Sequence, residues 1–512
     1  KIIIDNVRLV NTLPSRLEQL ADNYDFFLQP EAKQLRVLAS LVKKNEISSD
    51  EAAKEYDAYA SALIEISRKV IRKNSDALIP DSGFAMAAAD SMTRIFPHGQ
   101  PVFAAAGKFS VSAARGEEES LQLIILAPAD KELASAAVTA GQVAAVKPVK
   151  TLLPQVKIVP VGFVKTKTPR YTVEYTGWHP DLLLAHLKEI TILADEAQPF
   201  WVKITVPSEC TGGDYQAEIK VRINSKEYQV PLSIKVWDFS LPRTGHFPTF
   251  TSLYNMPDFI ADEEDFDSLR MFLLGYRLSF GNIYSGGGYG KAFNDLRPAE
   301  PYMIKKYTDH GLVNFNITYL RLKRQVLHDP PITGEKSVAA WESLPESERT
   351  FYPQAEKERI KKILGQWIPK LKTLGIYNRA YCYGFDEATR SEWPAFIDFW
   401  KYISVYYPDL KIYTTAVDPS LGQDSGLDFV SGFIVNNSQY NYEAACKARK
   451  RGIKVLPYNA RLCIDTPLIQ QRDYLGFHAW RMKFDGYFSG ILTAGITLKK
   501  GLTADHIALL KI

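Results

Sequence analysis

Two carboxylates stand side by side in the stretch CYGFDEATR: Asp386 and Glu387, behind a Tyr-Gly-Phe run with the composition of a buried strand. Where an extended strand passes into a loop the backbone turns, so side chains that would otherwise point to opposite faces can meet at one ligand. Two carboxylates that meet repel each other as anions; one then holds its proton to higher pH, which sets an acid beside an anion. Glycoside hydrolysis uses that division of labour. Direct double displacement needs its carboxyl groups on opposite faces of the sugar, usually from different strands. In a substrate-assisted route the sugar's own 2-acetamido oxygen is the nucleophile; one carboxyl protonates the leaving oxygen and the other holds the acetamido N–H. Adjacency favours the second route. The same dipeptide also suits the first turn of a helix, where acidic side chains answer the positive end of the dipole, and two residues alone do not decide between these readings.

A catalytic pair at a strand end requires a sheet to carry it. Residues 246–494 alternate short apolar runs with amphipathic stretches, and eight runs read as strands: FPTFTSLY, RLSFGNIY, VNFNITYL, RAYCYGF, LKIYTTAV, DFVSGFIV, KVLPYN and DGYFSGIL. Helical spacing fills most of the gaps, as in EKERIKKILGQWIPKLKTLG and YEAACKARKRG. Eight strands in about 250 residues predict a (β/α)8 TIM-like barrel, with Asp386 and Glu387 on the C-terminal rim of its fourth strand. A doubly wound sheet is the fallback, but no GxGxxG or phosphate loop follows any strand. Rim geometry adds substrate-binding candidates in Tyr254, Asn282, Tyr284, Tyr383, Asp418, Asn436, Tyr458 and Arg472, with Trp480 in the segment before the last strand. Tyrosine hydroxyls could bond an acetamido carbonyl, and an indole could wall the pocket for its methyl group. Each reads equally well as a core or loop residue, and Asp485 beside Gly486 reads as a turn residue.

The preceding segments divide in two. Residues 77–245 shift to a period of two, in runs such as PQVKIVPVGFV and YQAEIKVRINSKEYQVPLSIKVWDF, separated by Gly, Pro and Asn-Ser turns. That is the pattern of an antiparallel β-sandwich. In residues 1–76, IIIDNVRLV reads as a strand left from a domain before it, and Pro30 to about Lys73 reads as a helical hairpin with Ser49 or Asp50 capping its second helix. The expected organisation is thus multidomain α/β plus all-β: helical hairpin (1–76), sandwich (77–245) and catalytic barrel (246–512). The sandwich runs into VWDFSLP without a flexible linker, as a support for the barrel would.

Composition narrows the function class. Lys and Arg number 62 against 58 Asp and Glu, and the net charge of +4 is spread without a basic block, which argues against nucleic acid. The four cysteines, Cys210, Cys382, Cys446 and Cys463, have no metal or disulfide spacing, and His numbers 8, so neither metal nor organic cofactor is expected. No apolar run is long enough to cross a bilayer. The 12 % aromatic content suits stacking on sugar rings, and aromatic-rich cores equally well.

The stretches AARGEEESLQLIIL (113–126), GWHPDLLL (177–184), PFWVKITVP (199–207), GGDYQAEIKV (212–221) and VWDFSLP (236–242) resemble the sandwich half of glycoside hydrolase family 123 and its wider group, domain of unknown function 4091. YGFDE (383–387) and IDTPLIQQRDYLGFHAWRMKFDGYF (464–488) are similar to its barrel half, in the same order. The resemblance implies a retaining, substrate-assisted β-N-acetylgalactosaminidase that needs no cofactor and meets its carbohydrate outside the cytoplasm. It implies Asp386 as the acetamido-orienting residue and Glu387 as the general acid/base. A non-catalytic glycan-binding protein on the same scaffold, or a glycosidase of different sugar specificity, remains an alternative. The chain departs from the family at its end: no Trp follows Trp480, where relatives carry a YW-like segment. Codons for Phe488–Gly495 can be chosen so that a one-nucleotide shift reads Gln-Trp-Asn-Ile-Asn-Arg-Trp, so the tail from about Ser489 is expected to be out of frame, which sequencing the gene tests.

Overall fold

The helical spacing of the first hundred residues is realised as a hairpin, α1 (Gln29–Lys43) and α2 (Ser49–Ser75), whose Ala32, Leu35, Ala39, Ala52 and Leu63 are buried together. The cap of α2 lies one residue before the expected Ser49: the Ser48 hydroxyl accepts from Glu51 N–H at 3.2 Å while Glu51 Oε2 accepts from Ser48 N–H. Glu51 decides the position, because a capping box needs its acid three residues beyond the cap. The computed structural model describes residues 17, 20–22, 29–44, 46–75, 83–104, 109–130, 133–169, 173, 175–252, 263–281, 301–326, 335–458, 463–489 and 510–511. IIIDNVRLV and most of the tail after Ser489 lie outside these residues. The chain divides into two compact units, one of Lys1–Leu241, Cys463–Ile469 and Leu502–Ile512, the other of Pro242–Leu462 and Gln470–Gly501.

In the first unit, period-two segments form two packed sheets. One joins β1 (Ala85–Asp90), β3 (Glu118–Leu126), β9 (Ala197–Thr205) and β6 (Gln155–Lys165), with β7 (Trp178–Leu183) and β20 (Leu510–Lys511) on β6; every pair is antiparallel. The other runs β2 (Phe109–Arg115), β11 (Lys226–Ser240), β10 (Gly213–Ile223), β4 (Leu133–Ala140) and β8 (Ile190–Leu193), with β5 (Ala144–Ala145) on β10. Asn224, at φ 52°, makes the tight turn between β10 and β11, whose ladder closes at Ile223 and Lys226. Alternation puts Ile219, Val221, Leu232 and Ile234 against Leu123, Ile125, Phe200 and Val202 in one core. One pair departs from the antiparallel expectation: β2 and β11 run parallel, which their long separation in the chain permits. Helix α2 is fixed to this unit by Arg68, ion-paired with Asp195 at 2.6 Å, and by Arg72, which donates to the carbonyls of Gly83 and Ala127.

All eight expected strand segments of the second unit contain a strand, and all pair in parallel. The order is β13 (Phe280–Gly281), β12 (Thr249–Ser252), β19 (Tyr487–Ser489), β18 (Lys454–Tyr458), β17 (Gly432–Asn436), β16 (Ile412–Thr414), β15 (Ala380–Gly384) and β14 (Phe315–Leu320). The two end strands, β13 and β14, share no ladder among the described residues. Helices α3 (Glu263–Gly275), α4 (Pro301–Asp309), α5 (Gln354–Thr373), α6 (Trp393–Ile403) and α7 (Tyr442–Lys450) lie between strands in the chain. Ile360, Leu364 and Trp367 of α5, Phe396 and Phe399 of α6 and Ala445 of α7 enter one core with the outward residues of the sheet. The opposite face collects Phe250, Tyr319, Tyr381, Tyr383, Tyr413 and Phe488. The unit is therefore a mixed α/β domain built on a parallel sheet, and the C-terminal ends of β15 to β18 carry the residues considered next.

Candidate active site

Strand β15 sends Ala380 and Cys382 into the helix-facing core and Tyr381 and Tyr383 to the other side. Gly384 ends it at a point with no room for a side chain: a Cβ there would lie 2.2 Å from the Leu320 carbonyl oxygen of β14. Phe385 donates its N–H to that oxygen at 2.8 Å and plunges among the helices, fully buried, with its ring stacked 3.8 Å from that of Phe396. Its φ is 49° and that of Glu387 is 50°. Left-handed backbone at a residue with a side chain is strained by roughly 1–3 kcal/mol, and here two such residues flank Asp386. The turn closes with Ala388 N–H on the Phe385 carbonyl at 3.1 Å. Helix α6 begins only at Trp393, with Glu392 at its N-cap. Asp386 and Glu387 are therefore rim residues of a strand, and the alternative of acidic residues in a helical first turn does not hold.

Asp386 is half-buried. Its Oδ1 accepts from the Tyr383 hydroxyl and from Thr415 Oγ1 at 2.7 Å, and those two hydroxyls lie 3.0 Å apart. Glu387 is exposed; its Oε1 accepts from the Tyr458 hydroxyl at 2.9 Å, and its N–H donates to Thr415 Oγ1 at 2.8 Å. Among the described residues Glu387 Oε2 has no hydrogen-bond partner. Burial, then the bond to Glu387 and the nearness of Asp386, push the Tyr458 hydroxyl up to about 12, while the neighbouring Asn436 side chain acts in the opposite direction. The two residues are joined through Thr415, whose hydroxyl donates to the Asp386 carboxylate and accepts the Glu387 N–H. Behind them Tyr383 stacks between Tyr319, 6.1 Å away, and Phe488, 5.8 Å away. Beyond the pair the loop is tied down by Glu392, 1 % exposed, which accepts Thr389 N–H at 3.1 Å and meets Arg324 at 3.0 Å. Burial pushes the Glu392 carboxyl upward, and Arg324 offsets part of that.

Of the residues proposed from sequence, the structure gathers Tyr383, Asp386, Glu387 and Tyr458 in one hydrogen-bonded group that includes Thr415, while Asn436 stands opposite Tyr458 in the β17–β18 ladder with its Oδ1 taken by Ser438. Asp418 is engaged elsewhere: it is buried, with Oδ1 taken by Ser420 and Oδ2 by Gly422 N–H and Ser425, so it holds its own loop. Arg472 is exposed on the helix Leu468–Asp473, and Trp480 is 74 % exposed, with its ring 5.7 Å from that of Phe477. Tyr254, Asn282 and Tyr284 lie outside the described residues. Asp485 accepts from Arg449 at 2.7 Å and from Val455 N–H at 2.9 Å, as a structural residue at the start of β19 would. Sequence reasoning missed Thr415, which lies inside the expected strand LKIYTTAV; the structure ends that strand at Thr414 and leaves Thr415 directly after it. It also missed Asn437, which accepts from the Tyr474 hydroxyl at 2.6 Å beside the end of β17. No group of three His, Cys, Asp or Glu residues able to hold a metal occurs among the described residues, and none of the four cysteines is in a disulfide. No helix among the described residues is long and apolar enough to cross a membrane.

No protein-family model and no curated protein sequence matches the chain. Among solved structures it is similar to a family 123 glycoside hydrolase from Clostridium perfringens, studied for glycolipid glycan hydrolysis. The alignment covers 79 % of this chain and 78 % of that one, at 10 % identity and a TM-score of 0.50. The chain has that protein's fold. The family resemblance read from short sequence stretches thus extends to the three-dimensional arrangement. A Parabacteroides merdae β-glucuronidase aligns over 73 % of this chain and 46 % of its own, with 9 % identity and a TM-score of 0.29, too low to bear on the site.

Proposed function

We propose that the protein is a glycoside hydrolase that releases a terminal β-linked N-acetylhexosamine, N-acetylgalactosamine by family resemblance, with retention of configuration and no cofactor. One observation carries this reading: a strained turn at a strand end sets two adjacent carboxylate residues on one hydroxyl, Thr415, with Asp386 half-buried among hydroxyl donors and Glu387 exposed and accepting from Tyr458. Asp386, receiving two hydroxyl protons on Oδ1, is suited to act as the anion that accepts the acetamido N–H and balances positive charge. Glu387, open to solvent, is suited to move a proton.

In the first step Glu387 gives its proton to the leaving oxygen as the glycosidic C1–O bond breaks, and the acetamido oxygen forms a bond to C1 from the other face. The product is an oxazolinium ion whose N–H rests on Asp386. Glu387, now a base, takes a proton from a water that attacks C1; the oxazolinium ring opens and the β configuration is restored. The eight-stranded sheet is read here as a closed (β/α)8 barrel, since its strand order is that of a barrel interrupted between the second and third strands. A glycan or glycoconjugate outside the cytoplasm is its substrate.

The test is release of 4-nitrophenol from the β-GalNAc, β-GlcNAc and β-galactose derivatives, with the first-formed anomer followed by NMR. Turnover confined to the 2-acetamido sugars, with the β anomer formed first, is expected. Equal turnover of the galactoside, or none of the three by folded protein, would overturn the proposal.

A further inference from the structure

Thr415 follows β16 directly and is buried, and neither step above gives it a task. Its single hydroxyl nevertheless touches both members of the pair. It donates to Asp386 Oδ1 at 2.7 Å and accepts from the backbone N–H of Glu387 at 2.8 Å. Tyr383 donates to the same Oδ1, so the 3.0 Å approach of the two hydroxyls is that of two donors converging on one acceptor. The two functions of the Thr415 hydroxyl are complementary: its proton goes to a side chain, and its lone pair meets the amide of a residue at φ 50°.

We propose that Thr415 is a positioning residue that couples the two carboxylates, orienting the Asp386 side chain and holding the left-handed backbone that aims Glu387. It acts across the β15–β16 ladder, so the geometry of the pair depends on the neighbouring strand as well as on its own turn. Tyr383 does not duplicate this, because its hydroxyl donates to Asp386 while the Glu387 N–H goes to Thr415. The kinetic consequence rests on the glycosidase reading; the structural one rests on the geometry alone.

The test compares Thr415→Val, which keeps the β-branch and bulk but removes the hydroxyl, with Thr415→Ser, which keeps the hydroxyl. On 4-nitrophenyl β-N-acetylgalactosaminide T415V is expected to lose about 10- to 100-fold in kcat, the worth of one hydrogen bond to a charged group. KM is expected within about threefold of the parent, as for an interaction that matters in the transition state, and T415S is expected to recover most of the loss. T415V activity close to the parent, or T415S as impaired as T415V, overturns the proposal. Crystal structures of the parent and T415V decide the structural part whether or not a glycoside is cleaved: Glu387 leaving the left-handed region with Asp386 rotated supports it, and an unchanged turn overturns it. Should T415V not fold, T415A takes its place in both measurements. A parent protein inactive on every glycoside would overturn the glycosidase reading and leave the crystallographic comparison to decide this one.

Discussion

Replacing Glu387 by Gln separates proton transfer from every other contribution of that side chain. The amide keeps an oxygen where Oε1 accepts the Tyr458 hydroxyl at 2.9 Å, and the backbone bond to Thr415 is untouched. The residue is exposed, so the isosteric change should alter stability by less than about 0.5 kcal/mol. What is lost is the acid. A positioned general acid contributes about 10²–10⁴-fold, or about 2.7–5.5 kcal/mol of barrier. That contribution depends on the leaving group: 4-nitrophenolate departs almost unaided, whereas a sugar alkoxide needs the proton. The assay is therefore kcat/KM of parent and E387Q on a 4-nitrophenyl glycoside and on a disaccharide carrying the same terminal sugar. The expected result is a loss near the lower bound for the aryl glycoside and near the upper bound for the disaccharide, with equal melting temperatures. Equal losses on both substrates would refute the acid role, and retained activity on the disaccharide would refute the placement of the site.

Three further outcomes follow from the same geometry. Tyr458→Phe removes the bond to Glu387 and should lower kcat/KM about tenfold without loss of fold; steady-state kinetics check this, and an unchanged value would detach Tyr458 from the site. Gly384→Ala would set a Cβ 2.2 Å from the Leu320 oxygen, forcing β14 and β15 apart at a cost of about 3 kcal/mol or more, visible in urea unfolding together with loss of activity. Asp267 on α3 accepts from Lys306 at 2.8 Å and Tyr307 at 2.8 Å on α4; burial would raise its carboxyl, but these bonds prevail and hold it below the usual range. A carboxyl depressed in the folded state stabilises above its unfolded value and stops doing so as pH falls through the folded one. Asp267→Asn should therefore cost about 1 kcal/mol at pH 7, a gap that closes on acidification below about pH 4. An equal gap at both ends of the titration would contradict the assignment.

Much of this was legible in the chain because burial writes itself as pattern. The parallel strands are apolar runs bounded by amphipathic helices, so RAYCYGF and KVLPYN read as strands from their residues alone. The acidic dipeptide was legible because carboxylates at a strand end are rare enough to notice. Thr415 was passed over for Asp418, three residues further on, since a hydroxyl carries no such signal; yet Asp418 is consumed by Ser420, Gly422 and Ser425. Trp480 was picked for its ring, but its helical run leaves it in solvent. The left-handed turn was not legible at all, because neither Phe385 nor Glu387 is a glycine.

That last point bears on function. A glycine at either position would relieve the strain, so the side chains that stand there must return something for it. Phe385 does so visibly: its ring fills the space between sheet and helices against Phe396, Tyr352 and Phe399, and burying an aromatic of that size is worth more than the torsional cost. Glu387 offers no such return. It is exposed, and its contacts are one hydroxyl on its carboxylate and another on its N–H. In packing terms glycine would serve better there. A strained, solvent-facing glutamate held by bonds from the ends of β16 and β18 is an arrangement that stability alone does not account for, and that the proposed proton transfer would.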